Sequence, residues 1–338
     1  MTMNQSKQLL RILALLVAGM SLTCPAWAQT AATAPSTRPD PDKFIRFVQQ
    51  GDNSGVLELS TVSYRNAAGV TVDLVGAVHI ADPSFYAALN QQFKSYDALL
   101  YEMVKPKNVA MADTPAPSGR PLSWVGRMQR FLQRSLDLQY QLDGIDYHAP
   151  NFVHADLDIE TFTKLEEEKG ESIPGVMFKQ AVFEMGKEMA DPQAADDDAA
   201  DTAALLNALQ SADKPRAFKI FLGRRIASAS GDLGEMDSGE STVLISGRNH
   251  AAIDVLRQRL AMGDKRIGIF YGVGHLMGIE KIITEEMGFK QVGQPRWRTA
   301  WDMTHPTQKA VPASHPANAE GGATTQPTTT PALTREPG

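Results

Sequence analysis

Two short apolar strands in this chain each end in Gly-x-x-His and lead into a helix, at Gly76-Ala77-Val78-His79 and at Gly272-Val273-Gly274-His275. The first closes the run Leu74-Val75-Gly76-Ala77-Val78, apolar at every position, which suits a strand covered on both faces. Helices on both sides of such strands are the usual cover, so the repeated unit points to an α/β fold. Open α/β sheets place their crevices at strand-to-helix junctions. Nearly two hundred residues separate the two histidines, so only folding can bring their imidazoles together.

Local patterns extend this frame. Val56 to Tyr64 and Val70 to Val78 are rich in β-branched residues and read as an antiparallel hairpin closed by Arg65 to Gly69. Asp82 predicts a helix cap with Pro83 at the first position, and Phe85, Ala88, Leu89 and Phe93 give the helix an apolar side. Asp97 to Met103 reads as the next strand, lying beside the His79 strand, so residues 70–103 form a βαβ unit. A second unit copies the first in outline: strand Arg266 to Tyr271, helix Met277 to Met287 with Ile279, Ile282 and Ile283 inward, and strand Phe289 to Val292. The expected class is therefore α/β (α+β), a mixed central sheet from two βαβ-like units with a large helical insertion.

That insertion covers about residues 104–235. Trp124, Met128, Phe131, Leu132 and Leu136 form one apolar stripe, Asp158 caps a helix through Lys169, and further helices are expected within 174–189 and 202–227. The acidic stretch Ala190 to Asp201 reads as a solvated loop. Asp237 with Glu240 resembles a capping box for a helix of about two dozen residues whose inward stripe is Ile245, Ile253, Leu256 and Leu260.

The ends read differently. Lys7 and Arg11, the apolar stretch Ile12 to Leu22 and the small-x-small site Ala26-Trp27-Ala28 make residues 1–28 a signal peptide, with a lipid anchor at Cys24 as the rival. Cys24 is the only cysteine, and the mature chain has none, so an ordinary core must stabilise it. Residues 29–42 read as a disordered linker and 304–338 as a disordered Pro/Thr/Ala-rich tail, leaving 43–303 as one folded domain. Removing Lys7 and Arg11 takes the net charge from −6 to −8. A negative chain without basic runs excludes nucleic acid as its expected partner, and no transmembrane span remains after signal cleavage.

Five residues carry the candidate chemistry. His79 and His275 stand at matching strand ends. Glu102 closes the apolar run Ala98-Leu99-Leu100-Tyr101, where a carboxylate needs a cation, a metal or a donor. Asn249 falls four residues after Ile245 and four before Ile253, on the buried stripe, with Arg248 beside it. Gly247 costs that helix about 1 kcal/mol relative to alanine. His154, in a loop with Asp156 nearby, is a possible further ligand; His148 and His250 have weaker cases, and His305 and His315 fall in the tail. There is no HExxH and no G-x-S-x-G, and Gly272-Val273-Gly274 lacks the downstream acidic residue of a dinucleotide site.

In the order strand–GAVH–helix–Tyr101-Glu102, then Gly247-Arg248-Asn249-His250, then strand–GVGH-Leu276-Met277-Gly278-Ile279, the chain resembles the TraB/PrgY–GumN–Tiki superfamily over about 70–103 and 240–292. That resemblance implies an active site of His79, Glu102, Arg248, Asn249 and His275 and a peptide or protein substrate. Tiki members are described as divalent-metal-dependent peptidases, and TraB and PrgY members block peptide pheromone signalling. The family commonly has an acidic residue before the Arg-Asn pair, where this chain has Gly247. The expectation is a periplasmic or secreted metal-dependent hydrolase, with His79, His275 and Glu102 holding manganese, cobalt or zinc and His154 as a further candidate ligand. Arg248 would stabilise an oxyanion and Asn249 would orient a ligand. Two alternatives stand beside it: a peptide-sequestering protein without turnover, and a metal-independent esterase-like hydrolase with a histidine base.

Overall fold

The computed structural model describes residues 43–51, 53–107, 136–169, 202–236 and 243–307. The expected signal peptide, the linker, the tail beyond residue 307, the stripe from Trp124 to Leu132, the helix within 174–189, the acidic loop and the Asp237–Glu240 box lie outside those residues. Among the described residues no helix is long and apolar enough to cross a membrane.

The fold is α/β, organised by a seven-stranded mixed sheet. Strands β1 (Ile45–Gly51), β2 (Ser54–Arg65) and β3 (Thr71–Ala77) form an antiparallel set, with β2 and β3 joined as the expected hairpin. The order then runs β3, β8 (Arg266–Gly272), β5 (Ala98–Tyr101), β7 (Phe152–His154), all parallel. Strand β9 (Lys290–Asp302) pairs antiparallel with β2. A two-stranded ribbon of β4 (Ile80–Ala81) and β6 (Gln139–Tyr140) stands apart from the main sheet.

Helices cover both faces. On one, Phe85, Tyr86, Leu89 and Phe93 of α1 (Pro83–Phe93) pack against Leu57, Val75, Leu99 and Phe270, joined by Ile220 and Leu222 of α4 (Lys214–Met236). On the other, α5 (Arg248–Met262) contributes Ile253 and Leu256, and α6 (Val273–Glu285) contributes Leu276, Ile279 and Ile283. Each fully buried Leu or Ile of this kind contributes about 1.5–3 kcal/mol of transfer free energy, so the sheet faces account for the alternation of the two clusters along β3 and β8. Short α2 (Gln141–Gly144) follows β6, and α3 (Ile159–Lys169) follows β7 with the Asp158 carboxylate capping Thr161 N–H at 2.8 Å, as expected.

Four expectations need correction. The His79 strand and the Glu102 strand are not neighbours: β8 lies between them, pairing with β3 on one side and β5 on the other. The second unit is not a copy of the first, because β9 leaves the parallel set and runs thirteen residues along β2. The insertion is not wholly helical; β7 arises within it and extends the sheet beside β5. Helix is present over 202–227 as expected, in two segments, 202–210 and Lys214–Met236, split where Asp213 receives Arg216 N–H at 3.3 Å and Pro215 opens a new helix. Asp82 precedes α1 but does not cap it through its side chain; its carboxylate takes Asp302 N–H at 2.6 Å and Lys219 Nζ at 3.2 Å, tying α1, α4 and β9 together.

Candidate functional site

Four parallel strands release their chains at one edge of the sheet, and the polar residues gather there. Glu102 follows β5 and Asp156 follows β7 by one residue more, so neighbouring strands deliver two carboxylates side by side. Arg248 opens α5 above them. Its Nε donates to Asp156 Oδ1 at 2.9 Å, and its Nη2 donates to Asp156 Oδ2 and to Glu102 Oε1, each at 2.6 Å. The other Glu102 oxygen accepts Gly272 N–H at 2.6 Å. Gly272 is needed for that approach: a Cβ there would stand 3.2 Å from Glu102 Oε2. The Asp156 side chain is fully buried, and those of Arg248 and Glu102 are 14% and 16% exposed, so these are charges that must remain paired.

His275 lies beneath this cluster. Its Nδ1 is 2.8 Å from Asn249 Oδ1, and its Nε2 is 3.4 Å from Arg248 Nη1 and 3.8 Å from Glu102 Oε1. A guanidinium can only donate, so Nε2 must be the accepting nitrogen and the proton must sit on Nδ1, donated to Asn249. Asn249 is 1% exposed and belongs to the buried side of α5. The ring packs edge-on against Tyr271, whose hydroxyl donates to Ala155 O.

Charge follows from these contacts. Burial pushes the Glu102 carboxyl up, but the Arg248 charge, His275, Gly272 N–H and His79 together bring it down to about 2. Burial lowers His275 below its ordinary 6.5; the Glu102 charge opposes this and Arg248 adds to it, so the imidazole is neutral at pH 7. Burial also works against the Arg248 charge, and Asp156 with Glu102 more than reverses that, raising it further. The site is an ionised Glu102 beside Asp156, a fixed cation and a neutral imidazole with its lone pair turned toward them.

The two Gly-x-x-His junctions differ from the expected match. After β3 the chain enters the β4–β6 ribbon, where His79 O accepts Gln141 N–H at 2.8 Å, and the helix waits until Pro83. After β8 the helix starts at once, placing His275 in its first turn. His79 is exposed and its ring makes no hydrogen bond to a described residue, though it interacts electrostatically with both Glu102 and His275. His154 is not brought to the cluster: its Nε2 is 2.6 Å from Met103 O and its ring packs on Tyr101. His250 is exposed with Nδ1 on Ser246 O at 2.9 Å, and His148 and His305 are exposed. The sequence reading missed Asp156, naming it only as a neighbour of His154. The usable signal was a carboxylate just past the short run Phe152-Val153-His154-Ala155, as Glu102 stands past Ala98 to Tyr101.

Neutral imidazole nitrogen and ionised carboxylate are donors that a first-row divalent ion takes, and a ring whose second nitrogen is fixed by an amide oxygen is oriented as ligating histidines are. In donor chemistry His79, Glu102 and His275 therefore fit such an ion. They are not gathered into a coordination shell: among the described residues no group of three or more His, Cys, Asp or Glu stands ready to hold one. The Glu102 oxygen nearest His275 is engaged by Arg248.

No protein-family model, no curated protein and no solved structure matches this chain.

Proposed function

We propose that the chain is a periplasmic or secreted metal-dependent hydrolase, a peptidase, acting at the strand-end cluster of Glu102, Arg248, Asn249 and His275, with the exposed His79 as a further donor. One observation carries the reading: a buried, neutral His275 whose Nδ1 is tied to Asn249 and whose Nε2 faces an ionised carboxylate. The resemblance of the two Gly-x-x-His units to the TraB/PrgY–GumN–Tiki superfamily supplies the peptide substrate class. His79, Glu102 and His275 would hold a divalent ion, which would supply Lewis acidity and lower the pKa of a water toward neutrality. Manganese, cobalt and zinc all suit that donor set.

The chain's own groups supply the rest. Asn249 fixes the His275 ring so that Nε2 keeps its lone pair. Gly272 N–H and Arg248 hold Glu102 ionised, ready to accept a proton or to bind through oxygen. Asp156 holds Arg248 by two hydrogen bonds, leaving Nη1 turned toward His275, where it can meet negative charge building on a carbonyl oxygen.

A second reading, peptide binding without turnover, is favoured by the closed pairing of Glu102, both of whose oxygens are engaged. Elemental analysis of untagged protein and a peptide-library digest with added manganese, cobalt or zinc separate the two. The peptidase reading expects one ion per chain, lost in His79→Ala and in His275→Ala with the fold intact, and cleavage that needs the ion. Peptide binding that survives chelation, with no cleavage under any of the three metals, selects the second reading. Neither binding nor cleavage removes both.

A further inference from the structure

The opposite end of the sheet carries a second polar feature that the strand-end cluster does not use. An open cleft of about 870 Å³ lies where the end of β2 runs beside the middle of β9, near the start of β3 and β8 and the last turns of α1. Its charged lining is Arg65, Arg266, Arg296 and Arg298 against Asp73 alone, four positive charges to one negative, or +3. This occurs in a chain whose net charge is −6.

The single carboxylate is already satisfied. Asp73 Oδ1 accepts Ser63 Oγ at 2.6 Å, and Oδ2 accepts Tyr96 OH at 2.8 Å and Arg296 Nη2 at 2.9 Å. The other three arginines rest on neutral oxygens: Arg65 Nε on Thr71 Oγ1 at 3.4 Å, Arg266 Nη2 on Ser95 Oγ at 3.4 Å, and Arg298 Nη2 on Gln92 Oε1 at 3.2 Å. Asp97 lies beside Arg266, but its Oδ2 accepts the backbone N–H groups of Lys265 and Arg266 at 2.8 and 2.9 Å. Among the described residues, therefore, none of these three guanidinium groups has a carboxylate within ion-pair distance, and Arg266 alone has one, Asp97, acting on it from nearby. Each keeps most of its five donors, held in place at one corner by a neutral anchor. Like charges gathered this way oppose one another unless an anion joins them, and planar guanidinium forks match phosphate and carboxylate oxygens in pairs.

We propose that this cleft binds a small multivalent oxyanion, a ligand carrying two or more phosphate or carboxylate groups, at a site separate from the strand-end cluster. Isothermal titration of the intact protein with inorganic triphosphate and, separately, with citrate tests it and tells phosphate from carboxylate. Arg296 is left in place because it pairs the buried Asp73. The expected result is saturable one-site binding of at least one of the two anions, weakened by at least about tenfold in Arg65→Gln/Arg266→Gln/Arg298→Gln. It is unchanged in the control Lys164→Gln/Arg257→Gln/Lys281→Gln, which removes the same charge from other exposed positions. Both triple variants should melt as the parent does. Binding of neither anion overturns the proposal, as does equal weakening in the two triple variants, which would make the effect one of overall charge.

Discussion

The two Gly-x-x-His junctions share a motif and stand on paired strands, with Ala77 opposite Gly272, yet they do different things. At the second, helix α6 starts directly after β8, the ring enters the core, and Asn249, Arg248 and Tyr271 fix it from three sides. At the first, the β4–β6 ribbon delays the helix and leaves the ring of His79 in solvent. A short motif thus sets where a histidine leaves its strand, while the elements that follow decide whether it is buried and oriented. In the proposed site the buried histidine is the fixed donor and the exposed one is the adaptable donor.

The largest expected effect comes from breaking the buried side. Arg248→Met leaves Glu102 and Asp156 ionised and unpaired, which should cost about 3–5 kcal/mol in urea unfolding. Arg248→Lys should recover little of it, because an ammonium cannot reproduce the two-point contact with Asp156. A loss below about 1 kcal/mol in Arg248→Met would mean the cluster is not a paired buried unit.

The paired glycines sharpen the contrast. A Cβ at Gly76 would meet Val273 Cγ1 at 3.2 Å, and one at Gly272 would meet Glu102 Oε2 at 3.2 Å. Both alanine variants should lose about 1–3 kcal/mol through overpacking. Only Gly272→Ala should also disturb the carboxylate, seen as reduced ion binding or peptide cleavage beyond what Gly76→Ala shows. Equal functional loss in the two would remove the special role given to the second junction.

Acid should act on the buried histidine in a defined window. His275 has a lowered value when folded, so the unfolded chain takes up its proton first, and this contribution to stability is present above about pH 6.5 and is lost as pH falls below it. Glu102 adds a loss of the same sign between its ordinary 4.5 and about 2. Burial lowers His154 in the same direction, so urea unfolding at intervals from pH 7 to 5 should show a slope that His275→Gln reduces, with His154 supplying the rest, and that His79→Ala keeps. The smallest effect is on stability itself: His79→Ala, at an exposed ring, should stay within about 0.5 kcal/mol of the parent.

Much of the frame was legible in the sequence because it is written locally. The β2–β3 hairpin, α1, α3 and the strand carrying Glu102 follow from β-branched runs, caps and apolar spacing. Asn249 could be placed on the inward side of its helix from the positions of Ile245 and Ile253 alone, and it is buried. Strand order was not legible. Nothing in Arg266 to Gly272 says that it slots between β3 and β5, since parallel strands are joined by distant crossovers rather than by turns. Strand β7 has three residues, too few for a pattern, and Asp156 was lost with it. The arginine cleft escaped for a similar reason: residues 65, 266, 296 and 298 form no basic run in the chain, and only the sheet brings them together.

The proposed chemistry at the strand ends requires His275 to present a bare Nε2 to Glu102 and Arg248. Nitrogen-15 NMR of the histidine rings at pH 7 tests this most directly, because it reports which ring nitrogen carries the proton. The expected result is His275 neutral, protonated on Nδ1, titrating below 6.5, and in the same form with Asn249 intact across the neutral range. A proton found on Nε2, or a ring charged at pH 7, would contradict the account, since no lone pair would then face the carboxylate.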